Sequence, residues 1–141
     1  MNTLIDQQLV TGFYEIIQNS KSILIVPHTN PDGDAIGSCL ALRGILENMH
    51  KEAKIIIPNE FPEFLQWLDG VERVIDFEKS PEEAKALIHN ADTLFCLDFN
   101  DLERTEELKE YLSGFSGLKV VIDHHPGPVA QCDLLISYPS V

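Results

Sequence analysis

The chain has 141 residues, 44% of them hydrophobic, and a formal net charge of −13 at pH 7. This length and composition predict one compact domain with a buried core. The acidity argues against binding to duplex DNA, because the chain has no long-range positive field that would attract a polyanion. No apolar run is long enough to span a bilayer and no signal-peptide pattern opens the sequence, so we expect a cytoplasmic protein without a membrane partner.

Helical and strand patterns alternate along the whole chain. In chain order, the predicted elements are a helix (3–19), a strand (22–27), a helix (35–49), a strand (54–57), a short helix (61–68), a short strand (73–76), a helix (81–89), a strand (93–97), a charged helix (102–113) and two strands (118–122 and 133–136). The strands are continuous apolar runs, which are typical of a parallel sheet covered on both faces. We therefore predict an α/β fold with a doubly wound, Rossmann-like parallel sheet and helices on both faces, in three α/β/α layers.

Two of the predicted helices begin with capping residues. Asp34 is expected to be the N-cap of the second helix, and Ser80, followed by Pro81 and by Glu83 at the capping-box position, is expected to cap the fourth. The glycine fingerprint of dinucleotide-binding folds does not follow the first strand, so the sequence does not predict a nicotinamide or flavin site there.

The cysteines and aromatic residues are interpreted as packing residues. Cys39, Cys96 and Cys132 form no CxxC pair, which argues against a structural zinc site and a disulfide framework and favours small buried side chains in a reducing compartment. Five aromatic residues are interpreted as core residues rather than as platforms for stacked bases: Phe13, Phe61, Phe64, Trp67 and Phe77.

Ligand-type side chains follow three of the predicted strands at their carboxyl ends. They are His28, Asp32 and Asp34 after the first strand, Asp98 after the strand over 93–97, and Asp123, His124 and His125 after the strand over 118–122. Open α/β sheets bind ligands outside the carboxyl ends of their strands, so we expect these side chains in one crevice. Taken singly, the three groups have ordinary explanations as a capped turn, a helix N-cap and a polar strand end. Their recurrence at three strand ends favours a functional site.

Carboxylates that converge in one crevice need a compensating charge. Two unit charges about 4 Å apart repel by roughly 4 kcal/mol at an effective dielectric constant of 20. Histidine and carboxylate ligands suit Mn²⁺ or a related divalent ion better than a metal that prefers thiolates. Two such ions bridged by one carboxylate would clamp a phosphoryl group and provide a hydroxide nucleophile.

The order and spacing of these residues resemble motifs I, II and III of the DHH phosphoesterases. The matching residues are His28-x-x-x-Asp32-x-Asp34, then Asp98, then Asp123-His124-His125, and the resemblance covers nearly the whole chain. Within the family, the segments His-Thr-Asn-Pro-Asp-Gly-Asp-Ala-Ile-Gly-Ser and Asp-His-His-Pro are most similar to the branch of bifunctional oligoribonucleases and PAP phosphatases. That branch cleaves very short RNA from one end and dephosphorylates 3′-phosphoadenosine 5′-phosphate (PAP).

The resemblance implies a Mn²⁺-dependent phosphoesterase with two ions, acting on a short oligonucleotide or a nucleotide phosphate. His28 and Asp32 would hold one Mn²⁺, and Asp34 and His124 would hold the other. Asp98 would bridge the two ions.

The resemblance also implies catalytic roles beyond metal binding. Besides the bridging Asp98, Asp123 would orient His124, and His125 would contact a phosphate of the substrate. Arg104 follows Asp98 in the chain and would pair either with an acidic neighbour, which we favour, or with a substrate phosphate.

The sequence departs from the family pattern after the third motif. The family carries a fourth motif with another metal-binding aspartate, and Asp133, in Gln131-Cys-Asp-Leu-Leu, does not match it. We therefore expect residues 1–141 to be a DHH domain that is truncated at its C-terminus and lacks the family's separate substrate-binding domain. A homodimer is one assembly that the sequence allows.

Other functions remain open at this point. Within the family, they are a cyclic dinucleotide phosphodiesterase, an exopolyphosphatase and, ranked last because no basic and aromatic track is visible, a nuclease that degrades long strands. From a different class, the chain is compatible with a non-catalytic module that binds a metal or a nucleotide. Such a module would bind its ligand without Mn²⁺-dependent hydrolysis.

Overall fold

A parallel sheet forms the middle layer of the protein. The computed structural model describes residues 7–99, 101–124 and 132–137, and its strands are β1 (Ile23–Val26), β2 (Ala53–Ile57), β3 (Ile75–Asp76), β4 (Thr93–Leu97), β5 (Leu118–Asp123) and β6 (Leu134–Ser137). They pair in parallel in the order β3-β2-β1-β4-β5-β6. The chain extends the sheet to one side of β1 and then crosses back to β4. The carboxyl ends of β1 and β4 therefore mark the switch point at which such sheets bind ligands.

Helices cover both faces of the sheet, as the sequence predicts. They are α1 (Gln7–Asn19), α2 (Gly33–Asn48), α3 (Pro81–Asn90) and α4 (Lys109–Ser113). Ile23 and Ile25 of β1 belong to the hydrophobic core under α1 and α2, whereas Leu24 and Val26 belong to the core under α3 and α4. Because β1 is buried on both faces, all four of its residues are apolar. The three-layer α/β/α prediction is confirmed.

The two predicted N-caps differ from the observed helix starts. Asp32, not Asp34, caps α2: its Oδ1 accepts a hydrogen bond from Ala35 N at 2.9 Å, and Asp34 lies in the first turn of the helix. The helix begins earlier than predicted because Gly33 is already helical. At α3 the helix starts as predicted, but the Ser80 side chain forms no capping hydrogen bond, and Ser80 N donates instead to Asp76 O at 2.9 Å.

Three predicted elements are shorter or wound differently. The segment 61–68 contains only a 3₁₀ turn at Glu63–Leu65, and the strand predicted at 73–76 is reduced to β3 after a second 3₁₀ turn, Val71–Arg73. The predicted helix over 102–113 is a 3₁₀ segment, Leu102–Leu108, with a non-helical residue inside it, followed by the short α4.

A tertiary hydrogen bond explains why residues 102–108 are not α-helical. Arg104 O accepts a hydrogen bond from Thr29 N at 2.6 Å, in the loop after β1. That carbonyl would otherwise accept the amide four residues later, so docking onto the first loop replaces an α-helical bond. Glu106 has a positive φ of 49°, which breaks the segment within the next turn.

The core interpretation is wrong for two of the five aromatic residues. Phe64 and Trp67 are 72% and 77% exposed, whereas Phe77 is buried and Phe13 and Phe61 are partly buried. Residues three positions apart share a side of a helical turn, and here the side with two leucines is the one that faces the core. Leu65 and Leu68 pack against the core, and Phe64 and Trp67 face the solvent.

The three cysteines are free, and their environments predict unequal reactivity. Cys39 and Cys96 are buried, and burial raises the pKa of the Cys96 thiol to about 12. Burial, together with the charge of Asp98, also raises the pKa of Cys39. Cys132 is only partly buried, and its pKa is raised by burial and by Asp133. The thiols that are least accessible are therefore also those least able to form the reactive thiolate.

We expect a thiol reagent to modify one cysteine, Cys132, in the native protein at neutral pH, and all three in denaturant. Counting the modified thiols by mass spectrometry checks this, and a Cys132→Ser variant should show no fast native modification. Rapid native modification of Cys39 or Cys96 would contradict the burial described above.

Within the described part of the chain, no helix has the length and apolarity that crossing a bilayer requires.

Candidate metal centre

His28 stands at the end of β1 with one ring nitrogen fixed by the backbone. Its side chain is buried, and Nδ1 lies 2.7 Å from Thr29 O. A carbonyl oxygen only accepts, so the ring donates its Nδ1–H there, and a neutral His28 presents the lone pair of Nε2 on the opposite side. Nε2 lies 3.4 Å from Asp98 Oδ2. The loop therefore prepares Nε2 as a ligand nitrogen directed towards the end of β4.

Asp98 ends β4 in a left-handed conformation that few residue types tolerate. It has a positive φ of 65° and is only 7% exposed, and Asp98 N donates to Ile122 O at 3.0 Å. Aspartate and asparagine occupy this region more readily than most other residues with a side chain. Such conformations concentrate where function requires a fixed side-chain direction, and here the carboxylate points into the crevice between β1 and β5.

The two oxygens of the Asp98 carboxylate face two different histidines. Oδ1 lies 2.9 Å from His124 Nε2, and Oδ2 lies 3.4 Å from His28 Nε2. The His124 Nε2 atom is also 3.6 Å from Asp34 Oδ2. A carboxylate placed in this way, with one oxygen on each side, has the geometry needed to bridge two cations.

Two groups of ligand atoms share Asp98. One consists of His28, Asp32 and Asp98 and the other of Asp34, Asp98 and His124, and within each group the ligand atoms lie within 4.8 Å of one another. Asp32 Oδ1 also caps α2, and this bond fixes the direction of the carboxylate. Imidazole nitrogens and carboxylate oxygens together suit Mn²⁺, so the donor set fits the predicted ion. The structure brings all five predicted metal ligands together.

The other predicted site residues are Asp123, His125 and Arg104, which were not predicted to bind a metal. Asp123 is buried at the end of β5 and lines the same cavity as Asp98 and His124, but it belongs to neither group of ligand atoms in the described part of the chain. His125 lies outside the described residues, so its role stays a prediction. Arg104 contributes its backbone carbonyl to the loop after β1, and its side chain forms no ion pair within residues 7–99, 101–124 and 132–137.

A cavity of about 420 Å³ opens next to the ligand groups. Its polar end is formed by Asp34, Asp98, Asp123 and His124. Its other walls are largely apolar and come from α2 and from the ends of β4, β5 and β6. The cavity is thus a largely apolar cleft with a cluster of carboxylates at one end, which is the usual composition of a small-molecule site.

Comparison with known proteins identifies the chain at the level of its family. The profile of the DHH family, N-terminal domain, matches residues 22–140, a range that contains β1 and all the ligand groups. The chain belongs to the DHH family. This agrees with the resemblance between its three strand-end motifs and motifs I, II and III of the DHH phosphoesterases.

Individual relatives of this DHH domain carry different names. It is 36% identical over 104 residues to the bifunctional oligoribonuclease and PAP phosphatase NrnA of Thermus thermophilus, covering 73% of this chain and 28% of NrnA. It is 30% identical over 118 residues to the cyclic-di-AMP phosphodiesterase GdpP of Bacillus subtilis, covering 79% of this chain and 17% of GdpP. The chain therefore spans less than a third of the length of these curated relatives.

A solved structure shares the fold of this DHH domain closely. The crystal structure of an exopolyphosphatase-related protein from Bacteroides fragilis superimposes with a TM-score of 0.93 at 38% identity, over 98% of this chain and 41% of that one. The similarity covers the sheet, both helical layers and the strand ends that carry the ligand groups.

Sequence reasoning missed one residue that shapes the site of this DHH domain. Asn59 follows β2, and its Oδ1 accepts from Asn30 N at 2.6 Å while its Nδ2 donates to Asn30 Oδ1 at 2.6 Å. Asn30 has a positive φ of 54°, in the loop between His28 and Asp32. Asn59 therefore holds the loop that carries two ligands. Asn59 could have been identified from the sequence, because it follows a predicted strand at the same edge of the sheet as the predicted ligands.

Proposed function

We propose that this chain is the metal-binding domain of a Mn²⁺-dependent phosphoesterase that hydrolyses short oligoribonucleotides and PAP. The observation that carries the proposal is the Asp98 carboxylate, which turns one oxygen towards each of two groups of ligand atoms. A carboxylate that only stabilises the fold needs hydrogen-bond partners on one side. The left-handed conformation of Asp98 and the shared position between two histidines are better explained by a bridging role.

The charges around Asp98 support a centre that holds two cations. Asp32, Asp34, Asp98 and Asp123 bring four carboxylates to one end of the sheet, while the described residues around the cavity include no lysine or arginine. When bound, two divalent ions would offset these charges, stabilise the charge of the transferred phosphoryl group and activate the attacking water. Bound cations would therefore offset the repulsion among these four carboxylates.

The residues of the chain would position this chemistry. His28 presents Nε2 because Thr29 O fixes its Nδ1–H, and Asp32 keeps one oxygen fixed on Ala35 N. These contacts hold ligand directions in place before a cation arrives, which lowers the ordering cost of binding. Asp123 is proposed to orient His124, and His125 is proposed to contact a phosphate of the substrate.

The choice of substrate rests on sequence similarity. The names of the relatives cover oligoribonucleotides and PAP, cyclic-di-AMP and polyphosphate. The segment around His28 and Asp32 resembles the oligoribonuclease and PAP phosphatase branch, as described above. Of the two curated relatives, NrnA has the higher identity. A cyclic dinucleotide phosphodiesterase or an exopolyphosphatase is the alternative within the family. A module that binds without hydrolysis is the alternative outside it.

We expect Mn²⁺-dependent release of mononucleotide from pApA and of phosphate from PAP, and slower turnover of polyphosphate and cyclic di-AMP. Product release is measured by chromatography for each substrate at equal concentration, with a sample containing EDTA as the control. Turnover of polyphosphate alone would overturn the substrate assignment. Substrate binding without hydrolysis, in this chain and in a longer form that restores the family's following sequence, would favour the non-catalytic module.

The location and partners of the protein stay predictions. They are a cytoplasmic location, tested by fractionation, no binding to duplex DNA, tested by filter binding, and a homodimer as one assembly that the sequence allows, tested by sedimentation.

A further inference from the structure

The peptide unit between Thr29 and Asn30 is hydrogen-bonded on both sides. Its carbonyl, Thr29 O, lies 2.7 Å from His28 Nδ1. Its amide, Asn30 N, donates to Asn59 Oδ1 at 2.6 Å. A peptide unit is planar, so a partner that fixes the amide N–H also fixes the direction of the carbonyl oxygen. The side chain of Asn59 is therefore connected to the ring of His28 through one peptide unit.

The two asparagine side chains also bond to each other. Asn59 Nδ2 donates to Asn30 Oδ1 at 2.6 Å, so both the oxygen and the nitrogen of the Asn59 amide are bonded to Asn30. Asn30 has a positive φ of 54°, which asparagine tolerates better than most other residues with a side chain. The paired amides hold the loop after β1 in this uncommon conformation.

Asn59 is attached to a rigid part of the fold. It follows Ile57, the last residue of β2, which is buried and whose carbonyl accepts from Phe77 N at 2.9 Å. Pro58, between the two, is also buried and has a fixed φ. The Asn59 amide therefore bonds to the loop from a fixed position at the end of β2.

The bond from His28 Nδ1–H to Thr29 O decides which ring nitrogen can bind a cation. With the proton held on Nδ1, the lone pair is on Nε2, which lies 3.4 Å from Asp98 Oδ2. In the same ring orientation, the other tautomer would carry a proton on Nε2 and could not bind a cation there. Hydrogen bonds of this kind orient a metal-binding histidine and raise its affinity for the metal.

The connection from Asn59 runs to one of the two groups of ligand atoms. We call these groups the first cation position, with His28, Asp32 and Asp98, and the second cation position, with Asp34, Asp98 and His124. His28 belongs to the first position only. Asp34 lies in the first turn of α2, and His124 follows β5. A change in the orientation of His28 should therefore affect the first position and leave the second unchanged.

We propose that Asn59 is a positioning residue for His28. Through the peptide between Thr29 and Asn30, it holds the Nδ1–H tautomer of His28 and so raises the affinity of the first cation position. This inference rests on the proposed function, because the two cation positions are part of it. It gives a role in metal binding to a side chain that is not itself among the ligand atoms.

NMR of the imidazole nitrogens tests the effect of Asn59 on the ring in the metal-free chain. In mildly alkaline buffer the ring is neutral, and its nitrogen shifts distinguish the two tautomers. The His28 signals are assigned by their loss in His28→Phe. The parent should show the Nδ1–H tautomer, and Asn59→Ala a mixture of both. Asn59→Asp should keep the parent signals, because a carboxylate oxygen still accepts from Asn30 N and the Asn30 amide can turn to donate its Nδ2.

Calorimetric titration of Mn²⁺ tests the effect on the cation, with each position measured alone. In His124→Ala, which keeps the first position, adding Asn59→Ala should weaken Mn²⁺ binding by about 3- to 30-fold. Outer partners of metal ligands contribute about 10–100-fold, and Asn59 acts one hydrogen bond further away. In His28→Phe, which keeps the second position, adding Asn59→Ala should leave the affinity unchanged.

The matched control is Asn19→Ala on α1. It also removes an exposed asparagine side chain that forms a hydrogen bond, from Nδ2 to Glu15 O at 2.9 Å, and it should bind Mn²⁺ as the parent does. Folding of each variant is checked by circular dichroism. An unchanged tautomer of His28 in Asn59→Ala would overturn the positioning role. Equal weakening of both cation positions would overturn it as well, because Asn59 would then support the fold alone.

The ring signals separate this inference from the proposed function. If the parent binds no Mn²⁺ while Asn59→Ala still changes the tautomer of His28, the proposed metal centre fails and the orientation of His28 by Asn59 stands. If Mn²⁺ binds and is required for hydrolysis, but Asn59→Ala changes neither the tautomer nor the affinity, the positioning role fails and the phosphoesterase stands.

Discussion

Replacement of Asp98 by asparagine is expected to reduce Mn²⁺-dependent hydrolysis of pApA by at least about 10³-fold. The change keeps the shape of the side chain and removes the charge that would bridge two cations between His28 and His124. Asparagine also tolerates the left-handed backbone of residue 98, so the loop should keep its conformation. The loss should therefore come from the site and not from unfolding.

The matched control is Glu82→Gln on α3, which removes one negative charge from a side chain that is 88% exposed. It should hydrolyse pApA as the parent does. Thermal unfolding without metal should match the parent within about 1 kcal/mol for Glu82→Gln, a surface change. It should show a cooperatively folded state for Asp98→Asn, in which neutralising one of four neighbouring carboxylates relieves repulsion. Full activity of Asp98→Asn would show that Asp98 is not a bridging ligand.

Replacement of Gly117 by alanine is expected to lower the free energy of unfolding by about 2–4 kcal/mol. A Cβ at this position would lie 2.2 Å from Asp92 O and 2.7 Å from Asp92 C, so the backbone must move. Asp92 connects three segments of the chain through hydrogen bonds. Its backbone O accepts from Leu118 N at 3.0 Å, and its carboxylate accepts from Lys21 N at 2.7 Å. The clash would disturb the starts of β1, β4 and β5 together.

Gly44→Ala is the matched control for this stability prediction. Gly44 is an exposed residue inside α2, and a Cβ there meets nothing within 4 Å, so alanine should stabilise the helix by about 0.5–1 kcal/mol. Chemical denaturation of the two variants should therefore shift in opposite directions. Because Gly117 lies at the amino ends of the strands, the kcat of folded Gly117→Ala should stay close to that of the parent. A midpoint for Gly117→Ala equal to that of the parent would contradict the close packing.

The sheet and the candidate centre were predictable because both follow from short-range patterns. Ile23–Val26 is apolar throughout, which requires burial on two faces and so a parallel sheet between helical layers. Once the strands are parallel, all carboxyl ends meet at one edge, and Asp98 must approach His28 and His124. No knowledge of long-range packing is needed for these two steps.

The failed predictions depend on contacts between distant segments. Residues 102–108 have a helical composition, but the bond from Thr29 N to Arg104 O replaces the α-helical bond. Phe64 and Trp67 look like core residues from their type alone, but the side of the turn that carries Leu65 and Leu68 is the one that packs against the core. In both cases the local pattern is compatible with more than one arrangement, and tertiary packing decides between them.

The ends of β1, β4 and β5 are proposed to form a cation site that depends on Asp98. Calorimetric titration of Mn²⁺ into the parent chain, Asp98→Asn and Glu82→Gln measures this site without a substrate. We expect saturable binding in the parent and in Glu82→Gln, and loss of that binding in Asp98→Asn. The same binding isotherm in the parent and in Asp98→Asn would show that Asp98 holds no cation.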